Sequence, residues 1–430
     1  MEKQISLSFL PHLNMVRFQR KITMKQNRTF PWARVTKKQE ATLKKGHPWV
    51  YEDEITEQSE SIENGSLIDV FSEKGSYLGT GFYSACSRIR IRILDHNANE
   101  TFNDAFFERR VRYAVQYRYD VMPEDVSSCR LIHGEADGLC GLTVDKYEDL
   151  LVSEVLSYGM EQKKEIIYRA LTEVLAEKGV AVRGIFERNE EALRRKEGLE
   201  LYKGWADIGK PIPDSPVVII TENGIQYEVD VENGQKTGFF LDQKYNRRAI
   251  WPIANGRTVL DCCTHTGSFA LNAAKAGAVH VTAADISEFA LKQAEQNAVR
   301  NQLDGVMDFV CADVFDLLEE LRTKPHTYDF IILDPPAFTK SRKTFASARA
   351  GYRRLNASAM RLLKRGDYLA TASCSHFMPN QEFRNMLKDA AMDAGVSIRI
   401  IEERHAAKDH PVLISVPETE YLKLYLLQIV

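Results

Sequence analysis

The sequence predicts an α/β chain: a C-terminal doubly wound, mainly parallel sheet, preceded by a small β-barrel and a central α+β module. Three observations carry this. From about residue 217 onward, strand-like apolar runs alternate with helical stretches, as successive βαβ units do. Residues 31–96 instead hold short β-rich runs broken by turn residues. And 430 residues are too many for one ordinary hydrophobic core.

Residues 1–30 are basic and patternless and are expected to be a disordered extension, with Met24 as an alternative start. In the barrel region, Ser66–Phe71 and Tyr77–Tyr83 flank a Glu73–Gly75 turn. Ser87–Leu94 follows with strict Ile/Arg alternation, which puts one face in a core and Arg88, Arg90 and Arg92 on the other. Residues 97–212 form the central module. Helices are expected at Asp104–Tyr119, Glu161–Lys178 and Asn189–Lys196, and strands at Leu142–Asp145, Leu150–Leu156 and Gly184–Arg188.

Residues 213–430 open with a hairpin, Val217–Val231, turning at Glu222–Gly224. Strands then fall at Thr258–Cys263, Val279–Asp285, Asp308–Asp313, Tyr328–Asp334, Tyr368–Ser373, Val396–Glu402 and Tyr421–Ile429. The clearest helices are Ser287–Arg300 and Tyr352–Lys364. Ligands of such sheets sit at the carboxyl ends of strands.

Those ends carry a pattern. Asp261, Asp285, Asp313 and Asp334 close four successive strands. One terminal Asp is as readily a helix cap as a ligand; four in series are hard to ascribe to capping. After Asp261 a turn reaches Gly267, with Cys263 and His265 in glycine-like slots, so it is not the glycine-rich turn that cradles a pyrophosphate. Asp285, about 18 residues past Gly267, suits a ribose diol, and Asp313 an adenine amino group. The fourth strand runs into Pro335 and Pro336, which remove two backbone donors, and then Phe338, a flat face for a base. With the acid series this resembles class I methyltransferases, and the missing pyrophosphate turn favours S-adenosylmethionine over a dinucleotide.

The fifth strand ends at Cys374, followed by His376. A lone cysteine there is ordinarily a packing residue, but next to the Asp334–Phe338 motif it reads as a nucleophile. Between Asp334 and Asp367 there is no acid, while Lys340, Arg353 and Arg354 belong to a run of basic residues. The first fifty residues carry roughly nine net positive charges. Both stretches suit an RNA backbone, although the whole chain is only −3.

These residues resemble the RlmI-like PUA-domain cytosine-5 methyltransferases of large-subunit ribosomal RNA, from about residue 31 onward. The matching segments are Lys45–Val50, Arg130–Leu142, Glu187–Gly198 and, most specifically, Asn233–Gln243. The resemblance implies a PUA-like RNA-binding barrel and a Rossmann-like catalytic domain. Asp261, Thr266 and Gly267 would surround the methionine end of S-adenosylmethionine. Asp285 with Ile286 would lie at the ribose and Asp313 with Val314 near adenine, with Phe239 and Gln243 packing beside the cofactor. Asp334, with Pro335, Pro336 and Phe338, would hold the base, and Cys374 would attack it. Where many relatives place a second cysteine, this chain has Ala337 and Phe338, which leaves the base for the carbon-5 proton open between His376 and a water.

No apolar run is long enough for a membrane span. Seven scattered cysteines suggest neither a disulfide framework nor a metal site, so a cytosolic protein is expected, with ribosomal RNA as partner and a homodimer left open. Two rival readings stand beside carbon-5 methylation: RNA base-nitrogen methylation without a cysteine, and a non-catalytic RNA-binding ribosome-assembly factor.

Overall fold

The computed structural model describes residues 28–325, 328–339 and 341–430. Most of the basic extension, and Lys340, lie outside the described residues. Arg28, at the end of that extension, is tied down: its guanidinium donates to Thr80 Oγ1 at 2.9 Å and to the Glu100 carbonyl at 2.8 Å.

The first layer is a six-stranded sheet in the order Trp49–Tyr51, Ile89–Asp95, Tyr77–Tyr83, Leu67–Ser72, Trp32–Val35, Ile55–Gln58. It also holds a helix, Lys37–Lys44, that the all-β reading omitted; Thr36 caps it by accepting from the Gln39 N–H. The arginine row on the face opposite the core is not uniformly exposed. Arg88 is exposed, but Arg92 is 9% exposed and pairs with Glu197 of the central module at 2.8 Å, and Arg90 is held by the Ser84 carbonyl and Glu52. Strand alternation predicted which side the arginines take; only domain packing could cover that side.

The central sheet runs Tyr202–Trp205, Gly184–Asn189, Leu150–Val155, Leu142–Tyr147, Ser128–His133, so sequence periodicity missed its two outermost strands. The helices Asp104–Val121 and Lys164–Glu177 pack together. Next comes the expected hairpin, Val217–Glu222 with Ile225–Asp230. Its turn residues Asn223 and Gly224 both have positive φ, 53° and 71°, as a two-residue turn matching strand twist requires.

The C-terminal sheet has seven strands: β1 Thr258–Cys262, β2 His280–Asp285, β3 Met307–Cys311, β4 Phe330–Leu333, β5 Tyr368–Ser373, β6 Ile398–Arg404 and β7 Lys423–Ile429. Their spatial order is β3-β2-β1-β4-β5-β7-β6, parallel except for β7, which is antiparallel to both neighbours. The order reverses between β1 and β4, and a crevice opens at such a switch point. Helices α1 Ser268–Lys275, α2 Glu288–Arg300, α3 Val314–Arg322, α4 Phe345–Leu362 and α5 Asn380–Ala394 cover the faces. β4 reads Phe-Ile-Ile-Leu and is buried throughout, as a central parallel strand is.

Among the boundaries that differ from expectation, two bear on the site. β3 stops at Cys311, so Asp313 is the N-cap of α3 rather than a strand residue. Helix α4 starts at Phe345, seven residues before Tyr352, because Gly351 does not stop it. A Cβ there would lie 3.1 Å from the Phe338 ring, so this glycine permits a close approach instead of a turn. One core also runs through both C-terminal modules: Tyr147 and Phe186 of the central sheet share a cluster with Val259, Phe269 and Phe330. The Tyr147 hydroxyl accepts from the Phe239 N–H at 3.1 Å, and Thr237 donates to Asp145 at 2.5 Å. The central module thereby sets the position of the Asn233–Gln243 segment.

Candidate active site

The turn after β1 is the foundation. Cys263, His265 and Gly267 have φ of 63°, 53° and 82°, so the two glycine-like slots do adopt left-handed backbone, each at a cost on the order of 1–3 kcal/mol for a non-glycine. The turn is stitched to the end of β2 by Thr264 N–H to the Ala284 carbonyl (3.0 Å) and His265 N–H to Asp285 Oδ2 (2.9 Å). Asp261 is fully buried, and its Oδ2 accepts from Thr264 Oγ1 (2.6 Å) and the Ala270 N–H (2.9 Å). It shapes the turn from behind. Gly267 caps α1 without any side-chain hydrogen bond.

A cavity of about 380 Å³ opens above these strand ends. Of the residues singled out in the sequence, Gln243, Asp285, Ile286, Asp313 and Val314 line it. So do Asp334, Pro335, Pro336, Phe338 and Cys374, which brings both proposed chemical centres into one space. Asp261, Thr266, Gly267 and Phe239 stand behind the wall: Phe239 faces the hydrophobic core, and its neighbour Phe240 takes the lining position. Sequence reading missed Lys236, Phe240, Asp242 and Arg247, all on or next to the Asn233–Gln243 segment, and Phe315 after Asp313. Asp242, the one acid of that segment, gave no strand-end signal because the segment is a loop running into a short helical turn.

Burial dominates the electrostatics. It raises Asp334 to about 7, helped by the nearby Asp242 and opposed by Arg247 and by the hydrogen bond from Gln243. It raises the Cys374 thiol to about 11, with Asp334 adding to the effect and Lys236 opposing it. Burial would raise Asp242 too, but His410, Lys236 and the Tyr421 hydroxyl, which donates to Oδ2 at 2.6 Å, outweigh it and hold this carboxyl below its ordinary value. His265 is pushed down by burial and is neutral at pH 7.

The proposed RNA contacts divide. Arg353 donates through two nitrogens to Asp393 at 2.6 Å, and Arg349 pairs with Asp389. The acids of α5 thus answer much of the basic run on α4, which the local sequence cannot show. Arg354 instead lays its guanidinium over Phe315, 4.1 Å from the ring centre, and so reaches the cavity rim. Phe338 stacks on Tyr352 at 4.4 Å, which leaves one face for a ligand.

The lining suits a cationic ligand with a carboxylate at one end. Asp242, Asp285, Asp313 and Asp334 face it against Lys236 and Arg247, and Arg247 is already paired with Glu222 at 2.6 and 2.8 Å. Ser268, the first residue of α1, also lines the cavity, where helix N–H groups attract an anion. S-adenosylmethionine has both features, a sulfonium and a carboxylate.

Comparison with known proteins agrees. A PUA-like domain model matches residues 33–96, and an S-adenosylmethionine-dependent methyltransferase model matches residues 200–418. The chain is 39% identical over 391 residues to ribosomal RNA large subunit methyltransferase I of Aeromonas salmonicida, covering 90% of this chain and 97% of that one. The chain belongs to the ribosomal RNA large subunit methyltransferase I family. This methyltransferase is also 38% identical over 393 residues to the family member of Serratia proteamaculans, covering 90% of this chain and 97% of the relative. A solved structure described as an S-adenosylmethionine-dependent methyltransferase from Streptococcus mutans superposes with a TM-score of 0.77 at 22% identity, covering 92% of this chain and 99% of the other, and shows the same fold. The methyltransferase uses S-adenosylmethionine. None of its described helices is long and apolar enough to cross a membrane.

Proposed function

We propose that this methyltransferase transfers a methyl group to carbon 5 of a cytosine in large-subunit ribosomal RNA, with Cys374 as covalent nucleophile. The observation that carries this reading is that Cys374 and Asp334, from the adjacent ends of β5 and β4, line one cavity with the cofactor acids. The named relatives act on large-subunit ribosomal RNA, and the PUA-like domain supplies a second RNA surface.

Asp285 would hold the ribose hydroxyls, Asp313 and Val314 the adenine, and the α1 N-terminus the carboxylate. When bound there, S-adenosylmethionine supplies an electrophilic methyl group. Cytosine carbon 5 is too poor a nucleophile to take it directly. Bonding of the thiolate sulfur to carbon 6 breaks the C5=C6 double bond and makes carbon 5 electron-rich. Loss of the carbon-5 proton to a water after methylation restores the double bond and expels the thiolate, which takes back the proton held at Asp334.

Because Cys374 titrates near 11, it is protonated in the free protein. Its proton must leave once the target base is in place, and Asp334, raised to about 7, is a neighbour able to hold a proton at neutral pH. A protonated Asp334 would also donate to the ring nitrogen. His376 does not line the cavity; it lies toward Glu418, which bonds His47 at 3.2 Å.

The test is chemical trapping. RNA carrying 5-fluorocytosine at the target should form a covalent adduct mapping to Cys374 by peptide mass spectrometry. Cys374→Ala should abolish transfer while leaving cofactor and RNA affinity nearly unchanged, since the thiolate acts on the chemical step. Persistent transfer by that variant, with the methyl on nitrogen, would replace this reading with base-nitrogen methylation.

A further inference from the structure

Lys423 is 2% exposed near the start of β7, directly across from Ser373, the last residue of β5. Its Nζ donates to the carbonyls of Ser375 (2.7 Å) and Met378 (2.6 Å), both in the turn that begins at Cys374. That turn is tied on its other side to the Asp334 loop, where Ser375 Oγ donates to the Thr339 carbonyl at 2.9 Å. Among the described residues no carboxylate bonds the Lys423 ammonium. Burying an unpaired cation is expensive, and neutral donors could satisfy two carbonyls at smaller cost. A lysine in this place therefore calls for a use of its charge.

We propose that Lys423 is a positioning residue for Cys374: its ammonium clamps the turn so that the thiol faces the cavity, and its positive charge stabilises the thiolate formed there. The proposal rests on Cys374 being the nucleophile. When the thiol gives its proton to the Asp334 carboxylate, the negative charge moves from that carboxylate to the sulfur while Lys423 stays protonated, so the charge arrives beside a fixed cation in a poorly solvated place. The two groups lie close enough for the sulfur to act on the lysine. Burial pulls Lys423 down to about 8, and Cys374, then Glu420, push it back up. Cys374 is also faced by Asp334 at the end of β4, by Asp242 and Lys236 on the Asn233–Gln243 segment, and by Tyr352 on α4. Those groups stay unchanged when Lys423 alone is replaced.

The experiment measures the thiol itself, on the full-length protein without RNA. Alkylation of Cys374 by iodoacetamide is followed against pH, with the Cys374 peptide resolved by mass spectrometry from the exposed Cys86 and Cys311. In Lys423→Met and Lys423→Gln the reactivity at pH 8 should fall at least about threefold and the profile should move to higher pH. Methyl transfer should lose at least about tenfold in kcat with KM for RNA nearly constant, and Lys423→Arg should recover part of both. Gln can still donate to the carbonyls, so its loss isolates the charge. A neutral variant with native circular dichroism and a wild-type alkylation profile overturns the proposal. Should both neutral variants fail to fold, the reciprocal measurement decides. Lysine side-chain NMR of Cys374→Ser should show Lys423 titrating at lower pH than in the wild type, and an unchanged titration overturns the proposal. Full activity of Cys374→Ala would instead remove the nucleophile reading, an outcome visible without any change at Lys423.

Discussion

The Gln243 side-chain amide donates to Asp334 Oδ1 at 3.1 Å, joining residues 91 apart in the chain. Gln243 is itself oriented by Asn246, whose amide donates to Gln243 Oε1 at 2.6 Å, and Asn246 is held by the His405 carbonyl and by Arg404. The loop before the sheet is thus bonded to the end of β4, where both residues line the cavity. Because Gln243 lowers the Asp334 titration point, Gln243→Ala should raise it above about 7. Carboxyl-carbon NMR of labelled aspartate would show this. A fall, or no change, would mean that the bond does not persist in solution.

Asp334 also makes a stability prediction. Its folded-state value is about 7, above the ordinary 3.8. The folded protein therefore holds a proton there that the unfolded chain has lost between about pH 4 and 7. Stability from this group falls as pH rises through that window, and at pH 8 the buried charge is a full penalty. Asp334→Asn keeps an acceptor for Gln243 and removes the charge. It should unfold later than the wild type at pH 8, by on the order of 2 kcal/mol, with no such gain at pH 4, and should lose methyl transfer. Thermal melts at the two pH values check the sign.

Asp285 accepts from the His265 and Ser287 N–H groups at 2.9 Å each, so it orders the turn as well as facing the cavity. Asp285→Ala should weaken S-adenosylmethionine binding at least about tenfold by calorimetry, each lost charge-assisted bond contributing on the order of 1.5–3 kcal/mol. Wild-type affinity would move the cofactor away from the end of β2.

Arg353 and Arg354 should behave differently. Arg354→Ala should flatten the dependence of RNA affinity on log salt by about 0.7, one phosphate contact. Arg353→Ala should leave the slope unchanged, because Asp393 already neutralises that guanidinium. Equal effects would show that the Arg353–Asp393 pair opens for RNA.

Gly351→Ala separates packing from chemistry. Alanine improves helix propensity by about 1 kcal/mol, but its Cβ would press on the Phe338 ring from 3.1 Å. Stability should stay close to wild type while methyl transfer falls. Unchanged activity would mean that the ring need not hold its place.

The sequence by itself determined the alternation of strand and helix after residue 217, the acids at the ends of β1, β2 and β4, and the pairing of Asp334 with Cys374 on neighbouring strands. These follow from local periodicity and from the rule that a parallel sheet gathers its ligands at one edge. Tertiary structure decided what local periodicity cannot encode. It turned Asp261 behind the wall and made Asp313 a helix cap. It set Phe240 rather than Phe239 on the cavity and brought Lys236 and Asp242 in from a loop. It also spent Arg353 on Asp393 and Arg92 on Glu197. In each case the partner lies far away in sequence or on another element, and a side chain's surroundings, charge and exposure are set by what packs against it.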